Sequence, residues 1–252
     1  MRRMRAVFGP ASMWVVLSLF IASDASPAGV GLRWNACVAD GGVSNRAFAC
    51  NTNTGALFLV SSFVIDAPLT VKRVDVSLEL ASASATLPAW WDLVGCRSGA
   101  RSAVSGTDIV PTACAVYGGT PGISGIAIGE HGPNTERIEI GSTVFPGVGG
   151  INVAAGPEYV PVALRLTLIN TIGSGSCAGC VVPVCIVVRS VSLTSVLGQP
   201  PVLVLTQPLN GADANYAAWQ GGGSPVVGGV VGCPAATPTR RLLWGSVKSL
   251  YR

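Results

Sequence analysis

The sequence predicts an all-β protein, an antiparallel β-sandwich of jelly-roll-like order stapled by disulfides. Three observations predict it. The composition is apolar and poor in charge, with 49% hydrophobic against 11% charged residues and 32 glycines and 17 prolines among 252 residues. Such a chain has material for a core and for tight turns, and lacks the Glu, Lys and Arg that dress the wet faces of helices. Several short segments alternate apolar and polar residues, the period of a half-buried strand. Eight cysteines follow an export-like N-terminus, and an even count in that setting reads as a disulfide framework.

The strands can be placed in order. Val74-Asp75-Val76-Ser77-Leu78-Glu79-Leu80 alternates strictly, and Leu164-Arg165-Leu166-Thr167-Leu168 and Ile138-Glu139-Ile140 repeat the pattern. Ala56–Ile65 and Val181–Val196 are apolar and rich in β-branched residues, as central strands covered on both sides should be. Val202–Leu205, after Pro200-Pro201, is short enough for an edge or returning strand. Turn signals separate these runs at Asp40-Gly41-Gly42, Tyr117-Gly118-Gly119, Pro121-Gly122, Gly132-Pro133-Asn134, Gly147–Gly150 and Gly173–Gly175. This cadence, with no internal repeat, suits a jelly roll of eight or more strands better than a seven-stranded immunoglobulin-like domain.

The N-terminus has the order of a secretory signal: Arg2, Arg3 and Arg5, an apolar stretch from Ala11 to Ala22, then small residues. We therefore expect a signal peptide over residues 1–25, with cleavage as late as 28, and a β-sandwich domain over 29–220. A membrane anchor is disfavoured, because a spanning helix needs about 20 apolar residues and Gly9-Pro10 interrupts this stretch upstream. Residues 221–238 read as a Gly/Pro-rich linker and 239–252 as a short basic amphipathic tail. In that tail Leu243, Val247, Leu250 and Tyr251 share one helical face. The formal charge of +4 is concentrated at the two ends, leaving residues 26–239 at about −2. A body without a basic face argues against nucleic acid as a partner.

All eight cysteines, at 37, 50, 96, 114, 177, 180, 185 and 233, lie beyond the signal. Short spacing suggests Cys37–Cys50 and Cys96–Cys114, each closing a loop worth about 3 kcal/mol in the chain-entropy model. One of Cys177, Cys180 and Cys185 should hold Cys233 and the C-terminal stretch to the body, and spacing does not say which. Cys177-Ala-Gly-Cys180 also has the CxxC spacing of zinc and redox sites. Zinc ribbons use two such knuckles, and a redox CxxC opens a helix, whereas this one sits among Gly173, Gly175 and Gly179. Structural disulfides are the favoured reading, with no metal and no cofactor.

Little else carries chemistry. His131 is the only histidine and lies in a predicted turn, Gly129-Glu130-His131-Gly132-Pro133-Asn134, so a triad or a multi-histidine metal site has nothing to build on. No Gly-x-Ser-x-Gly elbow or phosphate loop is present. Acid-pair hydrolysis remains open in principle, with Asp66, Asp92, Asp108, Glu130 and Glu158 among the carboxylates and no pair marked out. The most suggestive binding residues are Trp90, Trp91, Asp92 and Arg97. If Trp90 and Trp91 stand on a strand, one ring faces out and can stack on a sugar. The plainer reading has both rings plugging the sandwich end, with their N–H groups bonded to loop carbonyls.

Four segments, Trp34-Asn35-Ala36-Cys37, Leu87-Pro88-Ala89-Trp90-Trp91, Cys177-Ala178-Gly179-Cys180 and the ending Trp244-Gly245-x-x-Lys248-x-Leu250-Tyr251-Arg252, resemble a group of secreted bacterial proteins of uncharacterised activity. The resemblance implies a bacterial, exported protein and no particular chemistry. It leaves Trp244, Val247, Lys248, Leu250, Tyr251 and Arg252 as a candidate docking or sorting tail. The function expected is non-enzymatic, in binding, adhesion or envelope structure, in the secreted or envelope space. Its partner would be a carbohydrate or an envelope protein, without integral membrane insertion after signal cleavage. The alternatives are a secreted polysaccharide hydrolase with an acidic pair, or a carbohydrate-binding module without catalysis.

Overall fold

The computed structural model describes residues 27–82, 84–105, 109, 114–117, 123–145, 149–209, 214–221, 226–227 and 230–231. The expected signal peptide, most of the linker and the whole tail fall outside the described residues. Among the described residues sixteen strands follow one another: β1 Gly29–Trp34, β2 Asn45–Arg46, β3 Ala56–Val64, β4 Leu69–Val71, β5 Arg73–Ser82, β6 Arg101–Val104, β7 Ala115–Val116, β8 Ile123–Gly132, β9 Thr135–Thr143, β10 Ile151–Val153, β11 Tyr159–Thr167, β12 Val184–Thr194, β13 Leu203–Leu205, β14 Tyr216–Trp219, β15 Val226–Val227 and β16 Val230–Val231. The last two form a small ladder inside the expected linker. The only helical element among the described residues is a single 3-10 turn, Ala89–Trp91.

Two sheets face each other. One has the order β1-β3-β11-β6 with β7 beside β11, and the other the order β2-β14-β12-β5-β9-β8 with β13 beside β12. Pairing is antiparallel except for β7 with β11 and β2 with β14. The chain passes from sheet to sheet between β3, β5, β6, β8–β9, β11 and β12, the interleaving of a jelly-roll-like sandwich. The alternating segments behave as their period requires. In β5, Val74, Val76, Leu78 and Leu80 are fully buried while Asp75 and Ser77 stay partly exposed. β3 is covered almost throughout, since it runs between β1 and β11 and is capped on its outer side. β13 is the short returning strand expected at Val202–Leu205.

Two bulges re-aim polar groups. The register of β11 against β3 shifts between Tyr159 and Val162, and Ser61 Oγ donates to Val162 O at 2.6 Å, so a buried hydroxyl and a displaced carbonyl satisfy each other. β12 shifts against β5 between Val188 and Ser190, and the bulged Arg189 reaches Glu79 with two hydrogen bonds of 3.0 and 2.6 Å.

The disulfides correct the local pairing expected from spacing. Cys37 bonds Cys114, Cys50 bonds Cys180 and Cys96 bonds Cys177. Neighbours in sequence are separated because they pack on different sides of the molecule. Cys37 and Cys114 join Val60, Val160 and Ala163 on the outer face of the first sheet, whereas Cys50, Cys177 and Cys180 pack against the main core. Cys185 is disulfide-bonded as well, and Cys233 with its C-terminal stretch, expected to be held by one of Cys177, Cys180 and Cys185, lies outside the described residues. Among the described cysteines none is free, so none offers a thiolate for zinc or exchange. Cys37 and Cys114 do lie with Glu158 within 4.8 Å of one another, but bonded sulfurs are not metal ligands, and Glu158 accepts the N–H groups of Val38 and Ala39.

Candidate functional site

The tryptophan end of the sandwich builds the site's back wall. The pair Trp90-Trp91 sits in the 3-10 turn rather than on a strand, so its rings are not forced to opposite faces, and both are fully buried. Trp219 is the hub: Trp90 stacks on it at 4.8 Å between centroids, while Trp91 and Trp34 meet it at 5.8 and 6.0 Å. An exposed ring for sugar stacking is therefore not offered at 90 or 91. The plugging reading describes their placement, with a different hydrogen-bond pattern. Trp90 Nε1 donates to the Thr171 hydroxyl, Trp219 Nε1 to Cys180 O and Trp34 Nε1 to Ala218 O, while Trp91 Nε1 meets no acceptor among the described residues.

Arg97 belongs to this wall and not to a surface. It is fully buried, its guanidinium carbon lies 3.7 Å from the Trp90 ring centroid, and it donates to Trp90 O, Ile169 O and Thr167 O. Desolvation pulls the guanidinium down to about 10, still charged at neutral pH. The carbonyl cage and the aromatic face replace the water it has lost.

Asp92, directly after the turn, is half-buried and faces a groove. Its carboxylate accepts Gly95 N at 2.7 Å and Cys96 N at 3.1 Å, which fixes the loop that carries Cys96 to Cys177. A Cβ at Gly95 would sit 2.1 Å from Asp92 Oδ2, so a side chain there would displace the carboxylate from these hydrogen bonds. Burial alone would raise the Asp92 carboxyl, but the N–H groups of Gly95, Cys96 and Val94 outweigh it and hold it below the usual carboxylate range. A group with a depressed folded-state value stabilises the fold above its unfolded value of about 4 and loses that contribution as pH falls through the lower, folded one. Asp92→Ala is therefore expected to lower the melting temperature at pH 6–7, with the gap to wild type closing progressively below about pH 4. Thermal scans of both proteins across that range check it, and a gap that persists unchanged in acid would contradict it.

The groove has a volume of about 840 Å³ and runs between two walls. Leu87, Ala89, Asp92 and Val94 form one, and Ile128, Gly132, Pro133, Thr135 and Glu136 of the β8–β9 hairpin form the other. Leu87 N donates to Pro133 O at 2.8 Å and ties the walls together. The lining mixes apolar surface with two carboxylates and a hydroxyl, the mixture of a small-molecule site. Val94 is 55% exposed at its lip. His131, expected in a turn, is instead the extra residue of a bulge in β8, between Glu130 and Gly132 in register with β9; its side chain lies outside the described part.

Of the residues singled out from sequence, only Asp92 reaches the groove, while Trp90, Trp91 and Arg97 stand behind it. Asp66 is exposed beyond β3 and Asp108 lies outside the described residues. Glu136 was not singled out, although it left a signal. In Glu136-Arg137-Ile138-Glu139-Ile140 it shares the inward parity of Ile138 and Ile140, and it is buried with them.

Fold and groove together define a disulfide-stapled β-sandwich with a ligand-sized cleft. No family model matches the chain, and no curated protein matches it. A solved structure similar to it is the sixth cohesin of scaffoldin B from Acetivibrio cellulolyticus, in complex with a mutant Cel5 dockerin. It covers 76% of this chain and 97% of its own, at 9% identity and a TM-score of 0.31. Among the described residues, no helix is long and apolar enough to cross a membrane.

Proposed function

We propose that the protein is an exported, non-catalytic binding protein that holds a carbohydrate in the groove between the 87–94 segment and the β8–β9 hairpin. The observation that carries this reading is the groove itself: about 840 Å³, lined by both apolar surface and acceptors, on walls fixed by the Cys96–Cys177 disulfide and the buried Trp90-Arg97 stack. Sugar rings present apolar C–H faces and a rim of hydroxyl donors. Leu87, Ile128 and Pro133 suit the first, and Asp92, Thr135 and Glu136 suit the second. Disulfides persist in oxidising compartments, which supports export together with the signal-like N-terminus. The tail at 239–252 is proposed as a sorting or docking peptide, whose deletion should move the protein without altering its melting temperature.

The second reading, acid-pair hydrolysis, is favoured by one specific fact: Asp92 and Glu136 line the same groove. Hydrolysis needs one carboxyl with a raised pKa as proton donor, and Asp92 is held in the opposite direction. Glu136 would have to be the acid. The test is a panel of soluble glycans and envelope polysaccharides, scored for binding by calorimetry and for reducing-end release. Binding without release, weakened roughly tenfold or more by Thr135→Arg, is the expected result. Release that disappears in Glu136→Gln would install the hydrolase instead, and no binding across the panel would remove the carbohydrate.

A further inference from the structure

We propose that the outer edge of β8 is a homodimer interface, at which two copies pair antiparallel about a two-fold axis through Ala127 and join their larger sheets. The inference does not rest on the groove. β8 is a ten-residue strand at the end of its sheet, bonded to β9 on one side. Among the described residues, no backbone group hydrogen-bonds its other side.

The molecule treats its remaining long edge differently. The free side of β1 is covered, with Val30 N donating to Gln207 O, Leu209 N to Val30 O, Leu32 N to Ala214 O and Trp34 N to Val43 O. β6 and β2, the other terminal strands of the two sheets, have four and two residues. Natural edges are blunted with Lys, Pro, short length or a covering segment. Over Ile123-Ser124-Gly125-Ile126-Ala127-Ile128-Gly129, β8 has no Lys, no Pro and no charge, and among the described residues no segment covers it by backbone hydrogen bonds. Ser124 Oγ donates to Ala103 O of β6 at 3.0 Å, so the strand is also anchored to the sheet beneath it.

The sequence of this edge selects a second copy as its occupant. With Ala127 on the axis, Gly125 faces Gly129 of the other copy, Ile126 faces Ile128, and Ser124 faces Glu130. Small residues thus oppose small ones on the outward face, and a Cβ built at Gly125 or Gly129 meets nothing within 4 Å. Ile126 and Ile128, inward-facing but only half-buried at the seam, would be covered by their counterparts. No like charges meet, which an isologous interface must satisfy.

Sedimentation velocity of the exported, disulfide-bonded chain from micromolar to sub-millimolar concentration tests this, with Ala127→Lys and Gly125→Lys as variants. The expected result is a concentration-dependent dimer that Ala127→Lys weakens by roughly tenfold or more, since its two lysines then face each other on the two-fold axis, and that Gly125→Lys weakens by less, since its lysine faces Gly129 of the other copy. Unchanged melting temperatures and near-UV spectra would show the variants folded, and two sites guard against one failing. Ala127→Cys should give an intermolecular 127–127 bond through a short thiol-specific cross-linker in peptide maps, because opposed Cβ atoms in an antiparallel pair lie about 4.5–5.5 Å apart. A monomer at every concentration overturns the proposal. So does a dimer that neither lysine weakens, or one that forms without the 127–127 bond. A monomer that captures an added extended peptide would overturn the second copy in favour of a strand-donating partner.

Discussion

Replacing Arg97 with methionine is expected to destabilise the fold by about 3 kcal/mol, and replacing it with alanine by about 4 kcal/mol. Methionine fills much of the stem's volume, so its loss reports mainly on the carbonyls of Trp90, Ile169 and Thr167, which would lose their guanidinium donor, the Trp90 carbonyl in a buried position. Orphaned buried acceptors cost about 1–3 kcal/mol each, and removing a desolvated guanidinium returns part of that sum. Alanine adds a cavity against the Trp90 face. Chemical denaturation of the two variants separates the effects. If methionine were as stable as wild type, the carbonyl cage would contribute nothing and Arg97 would be filler. Because Arg97 holds both the 3-10 turn and the 167–169 end of β11, the near-UV signal of the Trp cluster should change with it.

The second large effect is expected from the double variant Cys50→Ala/Cys180→Ala, at about 4–5 kcal/mol. The bridge spans a sequence separation of 130, and in the chain-entropy model a loop of that length restrains the unfolded chain more than a short one. The local pairing expected from spacing would have given loops worth about 3 kcal/mol each. The bridge also holds the segment before β3 against the Trp core, where Gln220 Nε2 donates to Phe48 O and Trp219 Nε1 to Cys180 O. Non-reducing peptide maps should return Cys37–Cys114, Cys50–Cys180 and Cys96–Cys177. A loss below about 1 kcal/mol in the double variant would mean that the unfolded chain is already compact there.

What the sequence left legible was periodic. Val74–Leu80 and Ile138–Ile140 declare their buried faces because a strand's side chains alternate with period two, whatever the neighbouring strands are. The run at Ala56–Ile65 announces a strand covered on both sides for the same reason. The site was legible at one residue, Asp92, and half-legible at Glu136, whose inward parity is odd for an acid but has meaning only once the hairpin faces the 87–94 segment. Trp90 and Trp91 were singled out for their type. Whether their rings point in or out depended on a three-residue turn that no periodicity marks.

The sequence by itself determined the class: an apolar, turn-rich, low-charge chain with alternating segments folds as a β-sandwich, and cysteines behind an export-like start become cross-links. These follow from local sterics, from burial of one strand face and from compartment chemistry, all of which act over a few residues. Only the tertiary structure decided which cysteines meet, that Arg97 lies inside against Trp90, that Asp92 and Glu136 share a groove, and that β1 is covered while no described segment covers β8. Each is set by strand order, and strand order brings together residues as far as 184 apart in sequence. No local pattern encodes that distance, because it is fixed by how two whole sheets bury their apolar faces at once.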